Sequence, residues 1–263
     1  MFLKTKKSLG QNFLINENIL KKIVDISEIQ DRSVLEIGPG TGNLTSFILK
    51  NNLKKLLVVE KDKDLVLGLR KKFKDFLVII NEDILDIDEK KFSKEKLIVF
   101  GNLPYNISTE ILCKWILNLD NDEFWFECLI LMFQKEVADR IIANVNTSNY
   151  GRLSILAKWK LDIVRICNIK PSCFFPKPKI ESSLLLFKPK KNFFKIDNPK
   201  NIELVTRSFF NHRRKMIKKP FNTIFQNNTD IIDRLNLDLK SRPHNLNYDV
   251  YYKLAEEYEK LRS

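Results

Sequence analysis

Little in this chain offers metal or disulfide chemistry. Its four cysteines, Cys113, Cys128, Cys167 and Cys173, include no Cys-x-x-Cys pair, and its only histidines are His212 and His244. That excludes the common zinc spacings and leaves the cysteines as reduced core thiols rather than a disulfide framework. No apolar run approaches the roughly 18–20 residues needed to span a bilayer; the longest, such as residues 126–133, has the length of a strand. The opening residues MFLKTKKSLGQNFL are basic but lack the apolar stretch of a secretory signal. A cytoplasmic protein with no metal and no membrane span is expected. Disorder is also excluded, because 44% of the 263 residues are hydrophobic. That is enough for one large α/β domain with a small appendage, or for two modest domains.

What is abundant is positive charge. Lys and Arg number 46 against 33 Asp and Glu, a net +13, which points to a polyanionic partner or to a lysine-rich, solvated surface. Its location is more telling. Residues 191–263 carry 15 Lys/Arg against 9 Asp/Glu, and Lys4, Lys6 and Lys7 precede the first acid, Glu17.

Hydrophobic periodicity predicts a helix in 17–30, then apolar strands at 33–37, 56–60, 76–80, 97–100 and 126–133 with helical stretches between them. A helix at 151–159 and a strand at 161–169 follow, then a proline-rich loop and a strand at 183–187. Strands alternating with helices predict a mostly parallel sheet covered on both faces. The last two strands have no helix between them and predict an antiparallel hairpin at one edge. Beyond about residue 190 only helical patterns remain, at 202–210, 213–218, 231–235 and 248–261. The expected domains are therefore 1–190 and an all-α 191–263.

The segment Glu36-Ile37-Gly38-Pro39-Gly40-Thr41-Gly42 lies between a strand and a helix, where glycines let a backbone turn sharply and approach a ligand. Its third glycine comes one residue too early for the nicotinamide fingerprint, and no Walker lysine follows. The string resembles motif I of class I methyltransferases, in which an acid beside a cationic methionine ammonium and sulfonium makes chemical sense. Glu60 ends the second strand, 20 residues after Gly40, as a carboxylate bridging two ribose hydroxyls would. Asp83 follows the third strand, where it can accept from an adenine amine. Each acid alone is an ordinary strand-end residue; three at the ends of consecutive strands point to a ligand site.

Asn102-Leu103-Pro104-Tyr105 follows the fourth strand and resembles the [DNS]-P-P-[YFW] motif of amino-methyltransferases. An adenine amine is a poor nucleophile because its lone pair is delocalised into the ring. The Asn102 side-chain oxygen and the Leu103 carbonyl can each accept one amine hydrogen, aiming the lone pair at a methyl donor. Pro104 fixes the backbone, and Tyr105 offers a ring for a flipped base. Four residues alone also fit a plain turn.

Taken together, KSLGQNFL (7–14), VLEIGPGTGNLT (34–45), VVEKD (58–62), FGNLPYNIST (100–109), QKEVADRI (134–141), YGRLSIL (150–156), FFPKPKIESS (174–183) and RRKM (213–216) cover the chain in one family's order. The chain resembles the KsgA/RsmA family of ribosomal RNA adenine dimethyltransferases, which includes the Erm resistance methylases. The resemblance implies a class I, Rossmann-like methyltransferase fold of seven strands with an antiparallel edge strand, and S-adenosylmethionine as cofactor. It assigns Gln11, Asn12, Leu14, Glu36, Gly38, Gly40, Gly42, Glu60, Lys61, Asp83, Ile84 and Asn102 to the cofactor. Phe174 would be a second aromatic wall opposite Tyr105. Asn16, where an acid is common, and Pro243-His244-Asn245 depart from the family pattern outside the proposed chemistry.

The substrate is expected to be two adjacent adenosines near the 3′ end of 16S rRNA in the immature 30S subunit, modified by a monomer. Arg213, Arg214, Lys215, Lys218 and Lys219, with Lys4, Lys6 and Lys7, are the expected phosphate contacts; a solvated helix face accounts equally for the first cluster. The alternatives are an Erm-type 23S rRNA methylase and a mainly non-catalytic assembly factor. Intact motifs at 36–42 and 102–105 weigh against the latter.

Overall fold

The computed structural model describes residue 6, residues 10–119 and residues 123–262. The described residues form two compact units, one within 1–112, 123–138 and 163–189, the other within 113–122, 139–162 and 190–263.

The first unit is built on a seven-stranded sheet. After β1 (Phe13–Leu14) and α1 (Glu17–Val24) come β2 (Ser33–Ile37), α2 (Asn43–Ile48), β3 (Lys55–Val59), α3 (Lys63–Phe73), β4 (Val78–Ile80), β5 (Leu97–Gly101), α4 (Ser108–Leu117) and β6 (Phe126–Gln134). β2 and β5 are buried along their whole length, as expected of central parallel strands covered on both faces. Register runs through β2: Leu35 lies opposite Leu57 on one side and Val99 on the other. After α5 (Lys135–Ile142) and α6 (Arg152–Lys160) the chain adds β7 (Leu161–Ile169), β8 (Phe174–Phe175) and β9 (Ser182–Pro189). The strand order is β4-β3-β2-β5-β6-β9-β7, with β9 antiparallel to β6 and Leu131 opposite Leu185. The core gathers Val34, Val58, Ile98, Phe100, Ile130 and Leu184.

Local chemistry sets the helix starts. Asn16 caps α1 by accepting from the Ile19 N–H at 3.1 Å, so this departure from an acid keeps the capping function. Asp62 caps α3 through the Asp64 N–H. Three differences from the sequence expectation stand out. Phe76 belongs to a single 3-10 turn, outside the strand, and is exposed. The N-terminal helix stops at Val24 instead of reaching residue 30. A two-stranded sheet pairs β1 with β8, placing Phe13 opposite Phe175 and Leu14 opposite Phe174.

In the second unit, α7 (Pro199–Phe210), α8 (Lys218–Phe225), α9 (Thr229–Arg234) and α10 (Tyr248–Lys260) join α6. Its buried tyrosines each find a carbonyl: Tyr150 Oη donates to Leu246, Tyr251 Oη to Pro243 and Tyr252 Oη to Ile155. Buried phenols need such partners. Residues 213–218 do not form the expected helix. Residues 211–215 are turns and a bend, and α8 begins only at Lys218. Five consecutive polar or charged residues, 211–215, offer no apolar face to pack, whereas Phe221 and Phe225 of α8 are both buried.

Candidate cofactor and catalytic site

The parallel strands β2, β3, β4 and β5 end at one edge of the sheet, and a pocket opens there. The chain runs from β2 outward through β3 to β4, then crosses back to β5 on the other side of β2, the switch point where α/β sheets bind ligands.

The glycine turn after β2 forms one wall. Gly40 has φ +58°, and a Cβ there would stand 2.7 Å from the Phe13 ring. Gly42, at φ +75°, caps α2 in the left-handed region, and a Cβ there would run into the Phe73 ring. Both positions therefore require glycine, for backbone conformation and for space. Gly38 and Gly40 line the pocket; Gly42 faces away from it, toward α3.

Glu60 lines the pocket just beyond β3. Its carboxylate accepts the Gly40 N–H at 3.1 Å and the Asp62 N–H at 2.9 Å. Burial pushes its pKa up, the two N–H donors pull it back, and the Asp62 charge adds to the rise. Glu36 is placed differently from its expected cofactor role. It is 2% exposed and turned into the protein, accepting from Thr45 Oγ1 of α2 at 2.6 Å. Burial, offset in part by Thr45 and reinforced by Glu60, raises its pKa to about 7.

Asp83, beyond β4, accepts from the Leu85 N–H at 3.1 Å and pairs with Lys61 Nζ at 2.5 Å. Lys61, Asp83 and Ile84 all line the pocket. The N-terminal segment supplies a further wall, with Gln11, Asn12 and Phe13 lining it and Leu14 buried in the core behind. Lys6 reaches the same region through Asp62; Lys4 and Lys7 lie outside the described residues.

Asn102, Leu103, Pro104 and Tyr105 follow β5 into the pocket. The Asn102 side-chain N–H donates to the Asn12 carbonyl at 2.8 Å. The amide nitrogen is thereby committed to protein, and Oδ1 is the atom left as acceptor. The Tyr105 hydroxyl meets Ser182 Oγ at 2.5 Å, which holds the ring from the far side; burial pushes its pKa up. Phe174 does not line the pocket. It is 3% exposed among the core residues, while Phe175 is 60% exposed. The alternation of β8 decides this, because successive side chains point to opposite faces.

Sequence reasoning passed over Phe13, Asp62 and Ser182. All three stand inside matched strings, but their contacts join segments far apart in the chain. The donor set suits S-adenosylmethionine: an open glycine backbone, Glu60 for ribose hydroxyls, Asp83 for an adenine amine and acidic surroundings for a sulfonium. Among the described residues no group of His, Cys, Asp and Glu could hold a metal, and no helix is long and apolar enough to cross a membrane.

A model of the ribosomal RNA adenine dimethylase family matches residues 2–260. The chain belongs to that family. It is thus similar to "Ribosomal RNA small subunit methyltransferase A" of Pelagibacter ubique, with 61% identity over 262 residues and the full length of both chains. The protein of the same name from Wolbachia sp. subsp. Drosophila simulans is 40% identical over 98% of this chain and 95% of the relative. Among solved structures, a dimethyladenosine transferase from Plasmodium falciparum is 30% identical, with a TM-score of 0.79 over 94% of this chain and 98% of that one. The 23S rRNA methyltransferase ErmE shares the fold, with a TM-score of 0.67 at 20% identity over 94% of this chain and 99% of that one. This family member is an S-adenosylmethionine-dependent methyltransferase of ribosomal RNA.

In the second unit, Lys215, Met216, Lys218 and Lys219 line a groove with His212. Arg213 donates to the Thr147 carbonyl at 3.1 Å, while Arg214 is exposed. Lys218 and Lys219 occupy the first turn of α8, which holds no acid. Cations there oppose the helix dipole.

Proposed function

We propose that this methyltransferase dimethylates two adjacent adenosines near the 3′ end of 16S rRNA, acting as a cytoplasmic monomer on the immature small subunit. The observation that carries the chemistry is the hydrogen bond from Asn102 to Asn12, which leaves Asn102 Oδ1 to accept.

S-adenosylmethionine, when bound, supplies the methyl group; Glu60, Asp83 and the Gly38–Gly40 backbone would hold it. The protein must then improve a poor nucleophile. Asn102 Oδ1 and the Leu103 carbonyl each accept one hydrogen of the adenine amine, which draws its lone pair out of conjugation. Pro104, with no N–H and a fixed φ, keeps these two acceptors convergent. Tyr105 carries the flipped base on its ring, worth on the order of 1–3 kcal/mol. No strong base is needed, because the amine hydrogens become acidic as the new N–C bond forms and can leave to water. Rate comes from positioning and fixed dipoles.

Residues 1–190 carry the chemistry in this reading, and 191–263 dock RNA. The unfavourable Lys218 and Lys219 at the start of α8 support the docking role, since a phosphate beside them would relieve the repulsion. The test is to incubate purified protein with labelled cofactor and under-methylated 30S and 50S particles, then map the modified nucleotides. Dimethylated neighbouring adenosines in 16S rRNA are expected. Label in 23S rRNA, or in neither, overturns the reading.

A further inference from the structure

Asp62 stands beside the pocket, bonded to Gln11 of its lining, and neither the ribose contact nor the base contact uses it. It is 4% exposed. One oxygen accepts from Lys6 Nζ at 2.7 Å and from the Asp64 N–H at 3.0 Å; the other accepts from Gln11 Nε2 at 2.9 Å. Its own N–H donates to Glu60 Oε1 at 2.9 Å. Gln11 is gripped at its other end too, because its Oε1 accepts from the Lys6 N–H at 2.7 Å. One residue further on, the Asn12 carbonyl takes the Asn102 amide. A continuous path thus runs from Glu60 through Asp62 and Gln11 along the strap of residues 10–14 to Asn102.

We infer that Asp62 is a positioning residue that, by holding Gln11, sets the strap at the height where the Asn12 carbonyl turns Asn102 Oδ1 toward the target amine. The inference rests on the amine-orienting role proposed for Asn102. Its physical basis is the near-symmetry of a primary amide. An asparagine side chain has two similar ends, and its hydrogen-bond partners decide which end faces where. Turned over, Asn102 would present N–H to the hydrogens of the substrate amine, and the acceptor would be lost. Backbone pairing secures the far end of the strap, through the ladder of Phe13 and Leu14 with β8 and the Ile15 N–H donated to the Cys173 carbonyl at 2.8 Å. Side-chain bonds to Asp62 secure the preceding residues. Burial pushes the Asp62 carboxyl up, but the bonds from Lys6, Gln11 and Asp64 outweigh it and bring its pKa below the usual carboxylate value, so the anion that grips the strap is the stable form.

The competing account is that Asp62 merely caps α3. A cap contributes to stability but has no route to Asn102. Two variants separate the accounts. Asp62→Asn keeps the side chain's shape and an oxygen for the cap; Gln11→Ala leaves the cap untouched. In the cofactor-free protein, hydrogen exchange at amides 10–14 should accelerate about tenfold or more in both variants, with the first turn of α3 unchanged in Gln11→Ala. Cofactor affinity by calorimetry should fall a few-fold, since Glu60 and the strap share Asp62. Single-turnover methylation at saturating cofactor and RNA should drop about tenfold with Asn102 present, and no further in an Asn102→Ser background, because the path ends on Asn102.

Unchanged strap exchange in both variants overturns the inference, and so does the same fold-loss repeated in the Asn102→Ser background. Should Asp62→Asn not fold, Gln11→Ala carries the test alone. A wild-type protein that transfers no methyl to adenosine would defeat the proposed function itself. An active wild type with indifferent variants would defeat only the role of Asp62.

Discussion

Asn102 and Asn12 stand 90 residues apart in the chain and meet at 2.8 Å, side-chain amide to backbone carbonyl. In the proposed reaction this contact leaves Asn102 Oδ1 to accept from the substrate amine, a role in turnover distinct from affinity. Asn102→Ala should therefore lower single-turnover methylation by about 100-fold, in the range for removing one preorganised polar group. The RNA dissociation constant should stay within about twofold, because the interaction strengthens only as the amine rehybridises. Rapid-quench methylation beside filter binding measures both. Weakened RNA binding with intact single-turnover chemistry would remove the amine-orienting role.

Glu60 combines a place in the pocket with two backbone N–H partners. Glu60→Ala should weaken S-adenosylmethionine binding by about 1–3 kcal/mol, the cost of a lost charge-assisted hydrogen bond. Calorimetry on a variant of native circular dichroism provides the number. Unaltered affinity would take Glu60 out of the site.

Glu36 predicts a pH dependence of stability. Its pKa is raised to about 7 in the folded protein, by burial first and the Glu60 charge second, from the ordinary glutamate value of 4.5. Between these values the folded state holds a proton that the unfolded chain has released, so stability falls as pH rises. The loss is complete above about pH 7 and amounts to roughly 3 kcal/mol. Glu36→Gln keeps an acceptor for Thr45 and carries no charge, so it should flatten this part of the curve and stabilise the protein at pH 8. Denaturant melts between pH 5 and pH 8 read it directly; parallel curves for the two proteins would count against a neutral Glu36.

Tyr105 separates ring from hydroxyl through its bond to Ser182. Tyr105→Phe leaves the buried Ser182 hydroxyl without this partner and should cost about 1 kcal/mol of stability. It keeps the stacking surface, so RNA affinity should hold. Tyr105→Ala removes the ring and should lose on the order of 1–3 kcal/mol of RNA binding. Equal losses of binding in the two variants would mean that the base needs the hydroxyl and not the ring.

The basic groove of the second unit is tested by salt. Lys215, Lys218 and Lys219 line the groove and are exposed, whereas Arg213 is tied to Thr147, so the first three are the ones to neutralise. Replacing them with glutamine should flatten the slope of log K against log salt for particle binding by about two to three units. Cofactor affinity should not change. An unaltered slope in a folded triple variant would mean that these charges are solvated surface and that shape selects the particle.

The central strands were legible because a parallel strand covered on both faces must be apolar almost throughout, and β2, β5 and β6 announce themselves as short runs of that kind. The glycine turn at 38–42 and the acids beyond β3 and β4 were legible for a related reason: they interrupt those runs where the strands end. Less was readable where the outcome hangs on pairing between distant segments. Whether Phe174 or Phe175 faces the core is settled by the register of β8 against β1, and a two-residue strand has no periodicity of its own to display. Glu36 resembles a pocket acid in sequence, yet its side chain turns toward Thr45, because side chains alternate along a strand and only the packed helix says which face is interior. The helix expected at 213–218 fails because residues 211–215 are all polar or charged, and a helix without an apolar face has nothing to dock. The sequence by itself thus determined the sheet and the places where it opens to a ligand, through local patterns of burial. Tertiary structure alone decided which side chains converge there, since the strap, Asp62 and Asn102 are brought together by contacts whose partners lie 51 and 90 residues apart, beyond the reach of any local pattern.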